Sequence, residues 1–176
     1  MKGIYLEKNK NIEFFIGSFH DETDFVVFDG TTGISESAFE NCDKLKTVIF
    51  GKLEGNDVFK DCYGHETSIL KNVVCASVTD DFTIHTNAFK GCSQLTTLIL
   101  PKLEGELKQG KPELIIKDNA FLCCKSLRTV VAVCDHATFT GNPFSCCPAH
   151  LTFVCKKDSD VDKFALRNNY RRVHVD

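Results

Sequence analysis

The feature that most constrains this chain is that it repeats itself. The segment Ile34-Ser-Glu-Ser-Ala38-Phe39-Glu-Asn-Cys42-Asp-Lys-Leu45-Lys-Thr-Val48-Ile49-Phe50-Gly-Lys-Leu53-Glu-Gly55 returns as Ile84-His-Thr-Asn-Ala88-Phe89-Lys-Gly-Cys92-Ser-Gln-Leu95-Thr-Thr-Leu98-Ile99-Leu100-Pro-Lys-Leu103-Glu-Gly105. A third copy runs Ile116-Lys-Asp-Asn-Ala120-Phe121-Leu-Cys-Cys124-Lys-Ser-Leu127-Arg-Thr-Val130-Val131-Ala132. Two weaker copies follow the same order. Val58-Phe59-Lys-Asp-Cys62 resumes after an insertion at Leu70-Lys-Asn-Val73-Val74-Cys75, and Phe139-Thr-Gly-Asn-Pro143-Phe144-Ser-Cys-Cys147 leads into Leu151-Thr-Phe153-Val154-Cys155. One such unit has too little apolar surface to bury alone, so the units must stack into a single array.

The shared pattern, I-x3-A-F-x2-C-x2-L-x2-V-x-F, has a physical reading. Leu-x-x-Val-x-Phe with β-branched fillers is a short strand whose fourth and sixth positions face inward. Ala-Phe-x-x-Cys fits one helical or 3₁₀ turn, with Phe as a spacer between the strand layer and an outer layer. Stacking would then give a parallel sheet on one side and ladders of Phe and Cys inside.

The string A-F-x-x-C-x-x-L, with Ile four residues upstream and a strand and turn downstream, resembles the BspA-like leucine-rich repeat. The resemblance covers residues 25–155 and extends to the chain end. It implies a right-handed α/β leucine-rich-repeat solenoid with a short parallel sheet on one face, capped at both ends. Phe25-Val-Val-Phe28 is similar to the strand that leads into a first repeat. Pro143-Phe144-Ser-Cys-Cys147 with the segment after it is similar to a terminal repeat and closing helix. Successive Phe residues are 20, 30, 32 and 23 apart, whereas the family keeps near ~23, so the loops are expected to be irregular.

The expected organisation is one domain over 1–176, comprising cap strands in 1–24, about five repeats in 25–155, and a cap helix and strand in 156–176. The N-terminal strands are read at Ile4-Tyr5-Leu6 and Ile12-Glu-Phe14-Phe15-Ile16. Asp158 or Ser159 is read as the N-cap of a helix burying Val161, Phe164, Ala165 and Leu166. Arg171 to Val175 would close the sheet with a charged edge. Two insertions, 63–68 and 104–112, are read as loops, where partner contacts often sit and where neutral drift is also tolerated.

Bulk properties exclude some classes. A net charge of -3 and a lone basic cluster of Arg167, Arg171 and Arg172 argue against nucleic acid, whose binders carry a basic stripe. No stretch approaches the roughly 18 apolar residues of a membrane span. Met1-Lys2-Gly3-Ile4-Tyr5-Leu6-Glu7-Lys8 lacks the apolar run of a signal peptide, so sequence alone points to the cytoplasm, although the resembled family is often at the cell surface. Gly-rich phosphate loops, G-x-S-x-G and H-E-x-x-H are absent, so no catalytic residue is assigned. Neither a cofactor nor a resident metal is expected. The richest ligand neighbourhood, Cys134, His136, Cys146, His150 and Cys155, has no C-x-x-C and no H-x₃₋₅-H, and His150 is read as a degraded core position.

Aligning the strands puts Thr47, Asn72, Thr97, Thr129 and Thr152 in one column and Ile49, Val74, Ile99, Val131 and Val154 in a second. Strand alternation turns both onto the open sheet face. They read equally as a dry stripe awaiting a protein partner or as β-branched ladders that steady neighbouring strands. Cys42, Cys62, Cys92, Cys124 and Cys147 share one repeat position and read as buried thiols, while Cys123 and Cys146 could pair. The expected function is a non-catalytic protein-binding module. Adhesion or host contact is implied by the resemblance alone. The alternatives are a thiol- or zinc-responsive scaffold, or a spacer without a partner.

Overall fold

The computed structural model describes residues 2–7, 23–29, 33–34, 36–42, 45–53, 73–75, 77–78, 81–103, 105 and 110–175. Its strands are β1 (Lys2–Glu7), β2 (Thr23–Asp29), β3 (Gly33–Ile34), β4 (Thr47–Leu53), β5 (Val73–Cys75), β6 (Ser77–Val78) and β7 (Phe82–Ile84). These continue as β8 (Thr97–Ile99), β9 (Lys102–Leu103), β10 (Glu113–Ile116), β11 (Thr129–Val131), β12 (His136–Phe139), β13 (Thr152–Lys156) and β14 (Arg171–Val175). Helix α1 spans Asp160–Arg167.

The expected sheet is present, in the order β1-β2-β4-β8-β11-β13-β14, and every pairing along it is parallel. Its register follows the repeat. Thr47, Thr97, Thr129 and Thr152 lie abreast, and so do Val48, Leu98, Val130 and Phe153. The latter row enters the core, as alternation requires.

A second parallel sheet, ordered β12-β10-β7-β3, was not expected. It consists of the residues leading to the motif's Ile. Ile34, Ile84, Ile116 and Phe139 stand in register and pack into the same core as the first sheet. The coil is therefore walled by strands on two sides, with the Ala-Phe turn between them.

The second unit departs from the array. β8 pairs directly with β4, while β5 runs antiparallel along Gly51–Leu53 at the far end of β4. This corrects the column reading for Val74, whose strand is not a rung of the parallel sheet. Glu54 stands where the other units have Ile or, in the last, Phe139, and eight positions separate Cys62 from Leu70 where the other units have three or four. Without an apolar anchor and with the insertion, the chain turns back along β4. Phe59, Cys62, Asn72, loop 63–68 and the strand read at Ile12–Ile16 lie outside the described residues, as do the side chains of Ile49 and Val74.

The turns are built from left-handed residues rather than a helix. Ser37 (φ 56°), Asn87 (φ 58°) and Asn119 (φ 56°) precede Ala, and Asn41 (φ 61°), Gly91 (φ 76°), Cys123 (φ 62°) and Cys146 (φ 58°) precede the ladder Cys. Asn and Gly suit this conformation, which crowds most side chains. Such turns leave backbone groups free to bond from coil to coil. The Phe39 N–H donates to Ala88 O at 2.6 Å, Phe89 N–H to Ala120 O at 2.7 Å, and Phe121 N–H to Pro143 O at 2.8 Å.

Inside these turns the rings of Phe39, Phe89, Phe121 and Phe144 stack at 4.9, 5.2 and 5.1 Å, each pair within 4° of parallel. Three ladder thiols donate backwards to the Phe carbonyl of a neighbouring coil: Cys92 to Phe39 O (3.0 Å), Cys124 to Phe89 O (3.1 Å) and Cys147 to Phe121 O (3.1 Å). The thiol thus fills a small apolar gap and satisfies a buried carbonyl.

At the C-terminal end, Ser159 caps α1 by accepting from the Asp162 N–H at 3.2 Å. Val161, Phe164 and Ala165 are buried as expected, but Leu166 is 55% exposed and Asp162 turns inward instead. Phe164 stacks on Phe139 at 3.8 Å, so the helix plugs the open end of the core.

Phe121 carries a stacked ring on each side and is fully buried. Phe121→Ala is expected to cost about 3–5 kcal/mol in urea unfolding. Leu166→Ala, at an exposed site, is expected to stay within about 0.5 kcal/mol.

Candidate functional site

On β8, β11 and β13 the residues between the inward ones point to the opposite sheet face. Thr97 and Ile99 flank Leu98, Thr129 and Val131 flank Val130, and Thr152 and Val154 flank Phe153. That face is not the continuous open stripe expected. Ile99 is 0% and Val131 1% exposed, with Thr47 at 8% and Thr97 at 7%. Ile99, Val131 and Val133 are buried yet stand apart from the Phe-lined core, so the face has a closed apolar layer of its own. Part of the reason is mutual cover, since a β-branched side chain on a central strand has in-register neighbours on both sides.

The face opens toward the C-terminal edge. Thr129, Thr152 and Val154 are half-buried. Pairing with β14 extends both rows, adding Arg171 beside Thr152 and Val173 beside Val154, the first exposed and the second half-buried. Arg171 and Val173 were missed as members of these columns because no A-F-x-x-C leads into β14 and only the alternation of Arg171-Arg172-Val173-His174-Val175 marks them.

The other face of β14 is anchored to α1. The buried carboxylate of Asp162 accepts from Arg172 Nη1 at 3.1 Å, His174 Nε2 at 2.9 Å and the Asp158 N–H at 3.0 Å. Burial works to raise its pKa. The hydrogen bonds from His174, Asp158 and Arg172 together outweigh that, and the carboxyl sits below its ordinary value. Arg172 is thus an internal tether, which leaves the expected basic cluster smaller than the sequence suggests.

A cleft of about 200 Å³ lies where the 104–112 insertion meets β13, lined by Leu103, Gly105, Lys111, Pro112, Asp135 and Lys156. Asp135 accepts from Lys156 at 2.9 Å and from Lys111 at 3.3 Å. The Lys156 bond is the main reason its carboxyl is held below the ordinary range. The one carboxylate accepts from both lysines, which ties Lys111 to the last strands.

The Cys and His neighbourhood does not converge. Cys134 and Cys155 are buried, and burial pushes their thiols up to about 12 and about 11, which keeps both protonated near neutrality. His136 faces Asp160 at 3.5 Å on the surface. His150 is exposed, 3.2 Å from Arg128 Nη1, and Leu151 one residue later takes the core position. That corrects the reading of His150 as a core residue. Among the described residues, no group of three or more His, Cys, Asp or Glu is placed to hold a metal ion. Within the same residues no helix is long and apolar enough to cross a membrane.

Comparison with known proteins agrees with the geometry. The family described as BspA type leucine rich repeat region matches residues 13–170 in six copies, beginning upstream of the first full repeat read from the sequence. No curated protein and no solved structure matches the chain.

Two outcomes test this description. Ile99→Lys places a charge in the closed layer and is expected to lower unfolding stability by about 3 kcal/mol or more, whereas Val154→Lys should stay within about 1 kcal/mol. Because the Asp162 pKa is depressed by folding, its stabilisation is present above the unfolded carboxylate value and lost as pH falls through the folded one. Asp162→Ala is therefore expected to cost about 2 kcal/mol at pH ~7. Melting curves of variant and wild type should converge as pH drops below ~4.

Proposed function

Because the chain belongs to the BspA type leucine rich repeat region family, we propose that it is a non-catalytic protein-binding module that uses the C-terminal half of its sheet face. The supporting observation is the change in exposure along that face. Ile99 and Val131 are sealed, while Thr129, Thr152, Val154 and Val173 form a half-exposed Thr and Val patch beside the exposed Arg171. Of the residues first assigned to the face, Thr129, Thr152 and Val154 carry the proposal. Thr47, Thr97, Ile99 and Val131 lie beside it in the same rows, on the sealed part of the face.

The patch has the composition of a small interface: apolar methyl groups in the middle and a guanidinium at the rim. A protein partner presenting an aliphatic side chain next to a carboxylate would match both features. The finer reading, contact with a host or surface-displayed protein, is carried by the family likeness.

Affinity capture from the native cell or host extract, run with wild type and with the Thr152→Lys, Val154→Lys double variant, tests the reading. The expected result is a partner that wild type retains and the variant binds at least about tenfold more weakly. Circular dichroism and thermal midpoint should be unchanged. A partner retained equally by both would remove this face from consideration.

A further inference from the structure

The left-handed position before the ladder Cys is occupied differently along the array. Asn41 and Gly91 fill it in the earlier coils, and Cys123 and Cys146 fill it in the last two. Cysteine has no preference for this backbone region, so its presence in both adjacent coils is not explained by the turn. Both side chains lie outside the Phe core, with Cys146 exposed and Cys123 half-buried.

Geometry brings the two together. The stacked Phe121 and Phe144 rings, 5.1 Å apart and 4° from parallel, fix the coils in register two residues upstream of the pair. The Cys123 N–H donates to Ser145 O at 3.0 Å, as the Asn41 N–H does to Lys90 O at 2.7 Å. In that earlier pair, a Cβ placed on Gly91 would lie 3.5 Å from the Asn41 Cα and collide with the Asn41 Oδ1. Side chains at this position therefore reach directly across to the neighbouring coil, the arrangement that a disulfide between facing residues needs. The Cys123 thiol is also held above its ordinary value, first by burial and then by hydrogen bonding to Cys146. The ladder thiols Cys124 and Cys147 are engaged elsewhere, on Phe89 O and Phe121 O.

We propose that Cys123 and Cys146 are an oxidative modification site, at which a hydroperoxide converts two thiols into a disulfide that staples the last two Phe coils. Cys146, the exposed member, meets the oxidant. Its thiolate attacks the terminal oxygen of the hydroperoxide, the O–O bond breaks, the alkoxide (hydroxide, for hydrogen peroxide) departs and takes up a proton, and Cys146 is left as a sulfenic acid. The Cys123 sulfur then attacks that sulfur, forming the S–S bond, and its proton leaves with the departing hydroxyl as water. Overall, two thiols lose two hydrogens and one hydroperoxide is reduced. The site stands on the turn geometry and does not depend on the sheet face binding a partner.

The test uses the full chain, reduced, exchanged into buffer and treated with equimolar hydrogen peroxide. It is then alkylated and digested with trypsin without reductant. The expected product is a cross-link between residues 118–125 and 129–156, lighter by two hydrogens than the separate peptides and released by dithiothreitol. Cys123→Asn and Cys146→Asn put into each site the residue that Asn41 carries there, so both should fold. Each should abolish the cross-link. Oxidised wild type should melt roughly 5 °C or more above reduced wild type, and the variants should show no such rise. The proposal is overturned if the cross-link persists in the doubly substituted chain, which would place it on Cys124 and Cys147. It is equally overturned if peroxide yields only sulfinic or sulfonic acid on Cys146.

Discussion

Coil-to-coil spacing is the constraint on which the molecule rests, and it is set twice at the same value. The Phe rings repeat at 4.9–5.2 Å. Backbone bonds between coils, in the strands and again at the turns, demand a spacing near 4.8 Å. Neither would suffice alone. A parallel ring stack held only by dispersion slides at little cost, and short parallel strands of three residues would have little to hold their register. Together they leave little choice of partner for each coil. The small Ala before Phe lets neighbouring turns approach, and the Cys thiol closes the carbonyl that the stacked Phe would leave buried and unpaired.

This double constraint explains which parts of the architecture could be read from residue order. Wherever Ile, Ala-Phe, Cys and Leu all occur at proper spacing, the coil forms and its register follows from the alignment, as in the row of Val48, Leu98 and Val130. Where the anchors fail, pattern matching overreaches. The unit containing Phe59 and Cys62 keeps three of the letters, but it has Glu54 for Ile and an insertion before its strand. Its strand β5 then pairs backwards on β4. The second sheet was hidden for another reason. Its strands are short and variable in their outward residues, so only the recurring Ile stood out, read as a single buried point rather than the end of Phe82-Thr83-Ile84 or Leu114-Ile115-Ile116.

The candidate face shows the limit of alternation as a guide. Period-two reasoning states which side of the sheet a residue occupies and does so correctly for Ile99 and Val131, neither of which enters the Phe core. It says nothing about what lies above that side. Exposure is a tertiary quantity, and here it changes across a few strands from sealed at β8 to half-open at β13. The same limit applies at Asp162 and Leu166. A helical wheel favours Leu inward, but Arg172 and His174 on the neighbouring strand supply donors that make a buried carboxylate the better fit.

The Cys123 and Cys146 pair and the open part of the sheet face lie on the same two coils, at opposite ends of one short connection. Residues 121–124 and 144–147 make the last two stacked turns, and each turn runs within a few residues into β11 or β13, the strands that carry Thr129, Thr152 and Val154. β14 is held against β13 on one side, and Arg172 and His174 tie it to α1 through Asp162. A bond between Cys123 and Cys146 would not touch the face. It would fix the spacing of the coils beneath it, which lowers the conformational entropy lost when a rigid partner docks on both strands at once. The tethers at Asp162 and Asp135 act in the same direction without chemistry, since each ties a peripheral segment to these coils. These ties therefore cluster where the face is open, as the proposed docking of a partner without rearrangement would require.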